Sequence, residues 1–186
     1  MPAKQGNSRN KINIRQITVY ALLVALCLII GYLENFLAIS FIAIAPGVKL
    51  GLSNAVALIL IVFDDKRGAW AVNITRICLS ALLFGSLVSF LLSLAGGAAS
   101  TLTACILIKN KSISPIGISI ACGVVHNVFQ LLAAALLTGT GVVYYIPVLI
   151  VCGAVCGAVC GVLVKLVSAK INVNKMFNFN IRKEKP

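Results

Sequence analysis

Val62-Phe63-Asp64-Asp65-Lys66-Arg67-Gly68 decides how this chain is organised. Four consecutive charged residues stand between two apolar runs, residues 50–63 and 69–84. Each run is short against the ~20 residues with which a helix crosses a bilayer. As the tip of a re-entrant hairpin, the tetrad would lie at membrane depth, where charged side chains are expensive. As a water-facing loop, it joins two short crossings, and this reading fits the charges best.

The same pattern extends outward in both directions. Basic residues cluster at Lys4, Arg9, Lys11 and Arg15, at Lys66 and Arg67, at Lys109 and Lys111, and from Lys165 to Lys185. The gaps around residues 33–47, 84–87 and 138–145 carry no Lys or Arg. Cytoplasmic loops retain cations during insertion, so the alternation predicts six crossings with both termini in the cytoplasm. The expected spans are 16–32, 50–63, 69–84, 87–108, 115–137 and 145–167. The expected fold is an all-α, multi-pass protein of the cell membrane: a six-helix domain over 16–168, a basic cytoplasmic segment over 1–15 and a basic cytoplasmic tail over 169–186.

Composition agrees. Apolar residues make up 60% of the chain and charged ones 11%, too few to cover a soluble surface. The mean hydropathy is +1.05. The net charge of +12 is spread over short loops and tails without one aromatic-laced basic face, so anionic lipids and not nucleic acid are its expected counterpart. The polar start is long, and the first apolar run has no small-residue cleavage site, so no cleavable signal peptide is expected. All seven cysteines fall in apolar runs and read as small buried side chains. Cys152, Cys156 and Cys160 recur every fourth residue, but no His or acid accompanies them and the chain has one His, so no metal is expected.

Two cations break the alternation. Arg76 falls in the third span, flanked by Asn73 and Thr75, where it needs a partner facing the bundle interior. Lys49 stands in Pro46-Gly-Val-Lys-Leu-Gly-Leu-Ser-Asn54, a turn that opens the second span on the side otherwise free of cations. Glu34 ends the first span near that side. Either Arg76 pairs with Glu34, or by snorkelling with Asp64 or Asp65, and Lys49 reaches Glu34 or outer headgroups, or the two cations hold an anionic or strongly polar ligand. In the fifth span His126 and Gln130 share one helix face, with Asn127 adjacent. These three serve another helix or a ligand. The candidate binding residues are therefore Glu34, Lys49, Asn54, Asn73, Arg76, His126, Asn127 and Gln130.

Small residues mark close packing. Gly153, Gly157 and Gly161 form a stripe on the sixth span, and Ala21 and Ala25 a second one on the first. No long-period repeat is evident.

Gly31-Tyr-Leu-Glu-Asn35, Pro46 to Asn54, Phe84-Gly-Ser86, Gly96-Gly97, His126-Asn-x-x-Gln130 and Tyr145-Ile-Pro-Val-Leu149 together resemble the Gx transporter family, also labelled heptaprenyl diphosphate synthase component I. The resemblance covers roughly residues 15–168. That family is similar to the substrate-binding S components of energy-coupling factor (ECF) importers. The resemblance implies an S-component-like bundle that captures a small molecule from outside. It also implies docking through Ala21 and Ala25 on a transmembrane coupling protein with two ABC ATPases. The synthase label implies the alternative, a membrane component associated with polyprenyl diphosphate or quinone synthesis. Prenyl diphosphate chemistry needs clustered carboxylates to hold Mg²⁺, and this chain has four acidic residues with one adjacent pair. It also lacks the phosphate-cradling glycine loop with Lys-Ser/Thr. The expectation is a non-catalytic chain without a cofactor of its own, with ATP hydrolysis left to partner subunits.

Overall fold

The computed structural model describes residues 14–38 and 51–170. They form six α-helices: α1 (Ile14–Ala38), α2 (Leu52–Val62), α3 (Lys66–Phe84), α4 (Leu87–Leu107), α5 (Pro115–Thr138) and α6 (Ile146–Lys170). A short 3-10 helix (Thr140–Tyr145) leads into α6. Four segments are long and apolar enough to cross a membrane: Gln16–Glu34, Leu87–Leu107, Pro115–Leu137 and Gly141–Lys170. This is a multi-pass, all-helical membrane protein. The helices start and stop close to the spans expected from sequence, except that α1 runs on to Ala38, past the expected end at residue 32.

The starts are locally encoded. The Asp65 carboxylate accepts from Gly68 N at 2.9 Å and begins α3. The Ser86 and Ser114 hydroxyls accept from Ser89 N and Gly117 N, both at 3.2 Å, and begin α4 and α5. These side chains satisfy backbone donors that a helix start leaves open. Pro115 then occupies the first turn of α5, where its missing N–H costs nothing.

Consecutive helices run antiparallel. Asn73 of α3 meets Gly97 and Thr101 of α4, and Cys122 of α5 meets Ser100 of α4. On α6, a Cβ placed at Gly153, Gly157 or Gly161 would stand 2.8, 2.7 and 2.7 Å from backbone atoms of Gly123, Ser119 and Ile116 on α5. The backbones therefore meet with nothing between them, as small residues permit. One end of the bundle collects the start of α1, the α2–α3 turn, the α4–α5 turn and the end of α6. Lys66, Arg67, Lys109, Lys111, Lys165 and Lys170 all belong to that end.

Helix α2, with 11 residues, is about 16 Å long at 1.5 Å per residue, roughly half a hydrocarbon core. It nonetheless forms the centre of the bundle. Seven of its residues are buried, and it touches α1, α3, α4, α5 and α6. Such burial is what an all-round apolar helix demands. Leu60 and Ile61 of α2, Val72 of α3, Ile118 of α5 and Val164 of α6 form the most enclosed part of the core. Above this layer, the first turn of α2 carries polar residues, and there the cavity opens.

A buried arginine in a polar cavity

Helix α2 begins at Gly51, whose left-handed backbone (φ 72°) turns the chain into the helix. A side chain at that φ would be strained, which is a reason for glycine here. Gly51 offers no capping side chain. The Glu34 carboxylate of α1 does so instead, accepting from the backbone N–H of Leu52. An anion at a helix N-terminus is stabilised by the open N–H groups and the helix dipole. Glu34 is itself buried.

The residues that follow, Ser53 and Asn54, face α3. There Arg76 donates from Nη1 to Ser53 Oγ at 2.9 Å and from Nη2 to Asn54 Oδ1 at 2.8 Å. A third bond runs from Nη2 to Asn73 Oδ1, one turn back on the same helix, at 2.7 Å. Asn73 is held in turn by its amide group, which donates to Gly97 O at 3.1 Å and Thr101 Oγ1 at 2.8 Å. Asn54 also lies 3.2 Å from His126 of α5 through Nδ2 and Nδ1. Polar side chains from four helices thus form one connected network.

All three acceptors of Arg76 are neutral. Among the described residues Arg76 makes no ion pair, and its Nε is buried without a hydrogen-bond partner. A guanidinium held in this way keeps its full positive charge while losing much of its water, which is costly unless something else compensates.

Arg76, Glu34, Asn54 and His126 line one cavity of about 40 Å³, with Ser53, Ser80 and Ser93. That volume admits two or three waters. A second cavity, also about 40 Å³ and mostly apolar, shares Gly51, Asn54 and His126 with the first and runs between α2, α4, α5 and α6. Asn54 and His126 therefore stand between a polar chamber and a slot walled by alanine, cysteine and glycine.

Of the eight residues expected to bind, Glu34, Asn54, Arg76 and His126 come together in the polar chamber, with Asn73 directly behind Arg76. Asn127 turns to α6, donating to Leu149 O at 3.0 Å, and lines the second cavity. Gln130 is buried one turn further along α5 and lines neither cavity. Lys49 lies outside the described residues. Ala21 and Ala25 are exposed on α1, and Gly153, Gly157 and Gly161 are buried on α6.

Sequence reasoning missed Ser53, Ser80 and Ser93, because serine is unremarked in any apolar run. It also missed the part played by Gly96, where a Cβ would stand 3.0 Å from the His126 ring. The Gly96-Gly97 pair was the available signal. Among the described residues no group of three or more His, Cys, Asp or Glu is placed to hold a metal ion.

No curated protein and no solved structure matches the chain. A family model does, over residues 23–167, which takes in α2 to α5 whole and most of α1 and α6. By that match the chain belongs to the heptaprenyl diphosphate synthase component I family, the Gx transporter family.

Proposed function

We propose that the chain is the substrate-binding membrane subunit of an ECF-type importer for a small anionic or polar molecule. The observation that carries this reading is Arg76: a cation deep in the bundle, held by three neutral oxygens and facing a chamber. A purely structural arginine would be expected to meet a carboxylate, since that is how a desolvated charge is compensated. A ligand with an anionic group supplies the counter-charge instead. Lys49 precedes Gly51, a residue of both cavities, by two positions in the chain and would add a second cation. In this reading Glu34, Asn54, Asn73, His126, Asn127 and Gln130 orient the ligand or the groups that hold it.

The topology proposed with it has six crossings and both termini in the cytoplasm of a cell membrane. The basic end of the bundle faces anionic lipids on the cytoplasmic leaflet. The chamber then opens away from the cytoplasm, as capture from outside requires. The exposed small face of α1 at Ala21 and Ala25 suits close approach of a coupling protein with its two ABC ATPases.

The family description favours a second reading, a non-catalytic membrane component associated with polyprenyl diphosphate or quinone synthesis. Purification from native membranes in mild detergent, followed by native mass spectrometry, separates the two. The importer reading expects ABC ATPases and a membrane coupling protein in the eluate. It also expects a small molecule released from the wild-type chain and absent from Arg76→Gln. Recovery of a soluble prenyl synthase in place of the ATPases overturns it.

A further inference from the structure

On the ligand-binding reading of the chamber, the state of its histidine is set by Arg76. A guanidinium has donors only. Its Nη2 lies 2.8 Å from the Asn54 side chain, so the atom it meets must be the carbonyl oxygen Oδ1. That fixes the orientation of the amide and turns its NH2 group toward His126, 3.2 Å from Nδ1. An amide NH2 also only donates, so Nδ1 has to accept. The ring is backed by α4, where Gly96 leaves room for it: a Cβ there would stand 3.0 Å from both Nδ1 and Cε1.

We infer that Asn54 is a positioning residue through which Arg76 holds His126 as a neutral imidazole, with its lone pair at Nδ1 and its proton at Nε2. The charged and titratable groups that line the cavities around this ring are Glu34 from α1 and Arg76 from α3 on the polar side. On the other side are Cys122 from α5 and Cys156 and Cys160 from α6. A proton placed on Nδ1 would point at the amide N–H groups of Asn54 and lose the hydrogen bond.

The arrangement is reversible. A ligand acceptor that draws Nη2 from Asn54 frees the amide to rotate and present Oδ1 to the ring. The one ring proton then moves from Nε2 to Nδ1, where Oδ1 accepts it, so anion binding at Arg76 is linked to the tautomer of His126.

The chain has a single histidine, so protein labelled with 15N-histidine gives one imidazole spin system. In the full chain in detergent, without added ligand, the expected spectrum at neutral pH has an unprotonated Nδ1 and a protonated Nε2. Arg76→Met frees the amide and should give a mixture of the two neutral tautomers. A purely electrostatic effect of the lost charge would move the titration and leave the tautomer alone. Asn54→Asp replaces the donor by an acceptor and should place a proton on Nδ1. A wild-type spectrum with Nδ1 protonated, or an unchanged tautomer in Arg76→Met, overturns the inference. The wild-type spectrum decides even if both variants fail to fold. None of these outcomes depends on a co-purified molecule, so the importer reading stands or falls separately.

Discussion

Tyr20 of α1 donates its phenolic hydroxyl to the Asp65 carboxylate at 2.5 Å, joining residues 45 positions apart. Asp65 is thereby shared between two tasks, holding α1 and capping α3 through Gly68 N. At the opposite end of α1, Glu34 holds the first N–H of α2. The two contacts pin α2 antiparallel to α1 over a stretch of α1 about 21 Å long. They also set the charged turn beside the start of α1 and the polar chamber beside its end.

Tyr20→Phe should therefore lower the stability of the bundle by about 1.5–3 kcal/mol, the worth of a hydrogen bond to a charged group. Denaturant unfolding in a fixed detergent would show it. Asp65→Asn should cost at least as much, since it weakens the α3 cap as well. The double variant should lose less than the sum, because both changes remove the same bond. Strict additivity would mean that the bond contributes nothing.

The topology prediction follows from the same geometry. Reporters fused after Asn10, after Arg67 and after Lys111 should all report the cytoplasm. A reporter fused after Gly139, between α5 and α6, should report the other side. A cytoplasmic signal at Gly139 together with an external one at Arg67 would reverse the proposed orientation.

Much of this was legible in the sequence, and the limits have physical causes. The apolar runs between charged clusters gave the approximate helix boundaries, whereas the caps at Asp65, Ser86 and Ser114 that fix the starts were read only from the structure. Arg76, His126 and Glu34 were conspicuous because charged or polar groups in apolar runs are costly and therefore rare. Their partners were not conspicuous. Ser53 and Asn54 meet Arg76 only through the antiparallel packing of α2 on α3, a long-range fact with no local signature. Asp65 was read as part of an exposed loop, yet it is buried, since Tyr20 on another helix covers it. The burial of α2 was hidden in the same way. Its eleven residues are enclosed by five longer helices, a packing that no local pattern announces.

The α5–α6 seam should tolerate no added bulk. Gly157→Leu would drive a side chain into Ser119 O and Ile120 Cα, backbone atoms that cannot turn aside. A cost of about 1–3 kcal/mol or more is expected from such overpacking. Val159→Leu, on the exposed face of the same helix, should cost almost nothing. Thermal unfolding of the two variants side by side gives the comparison. Equal melting points would show that the helices are not in backbone contact there.

Glu34 has two conceivable roles, capping α2 and neutralising Arg76. If Glu34 served mainly to neutralise Arg76, Glu34→Gln and Arg76→Gln would destabilise the protein to similar degrees. The double variant would then be no worse than either single change. The geometry argues otherwise, because Arg76 bonds to Ser53, Asn54 and Asn73 while Glu34 caps α2. Glutamine keeps an oxygen for Leu52 N–H, so Glu34→Gln should cost only a few tenths of a kcal/mol to about 1 kcal/mol, the size of a dipole term. Glu34→Ala removes the acceptor and should cost about 1–2 kcal/mol, as other cap deletions do. Arg76→Gln should cost less than either charge count suggests, since it also removes a desolvated cation. Its larger effect should be on ligand retention. Unfolding free energies for the three single variants and the double variant, measured in one detergent, give the answer. Equal and non-additive losses for Glu34→Gln and Arg76→Gln would restore the ion pair as the purpose of both residues.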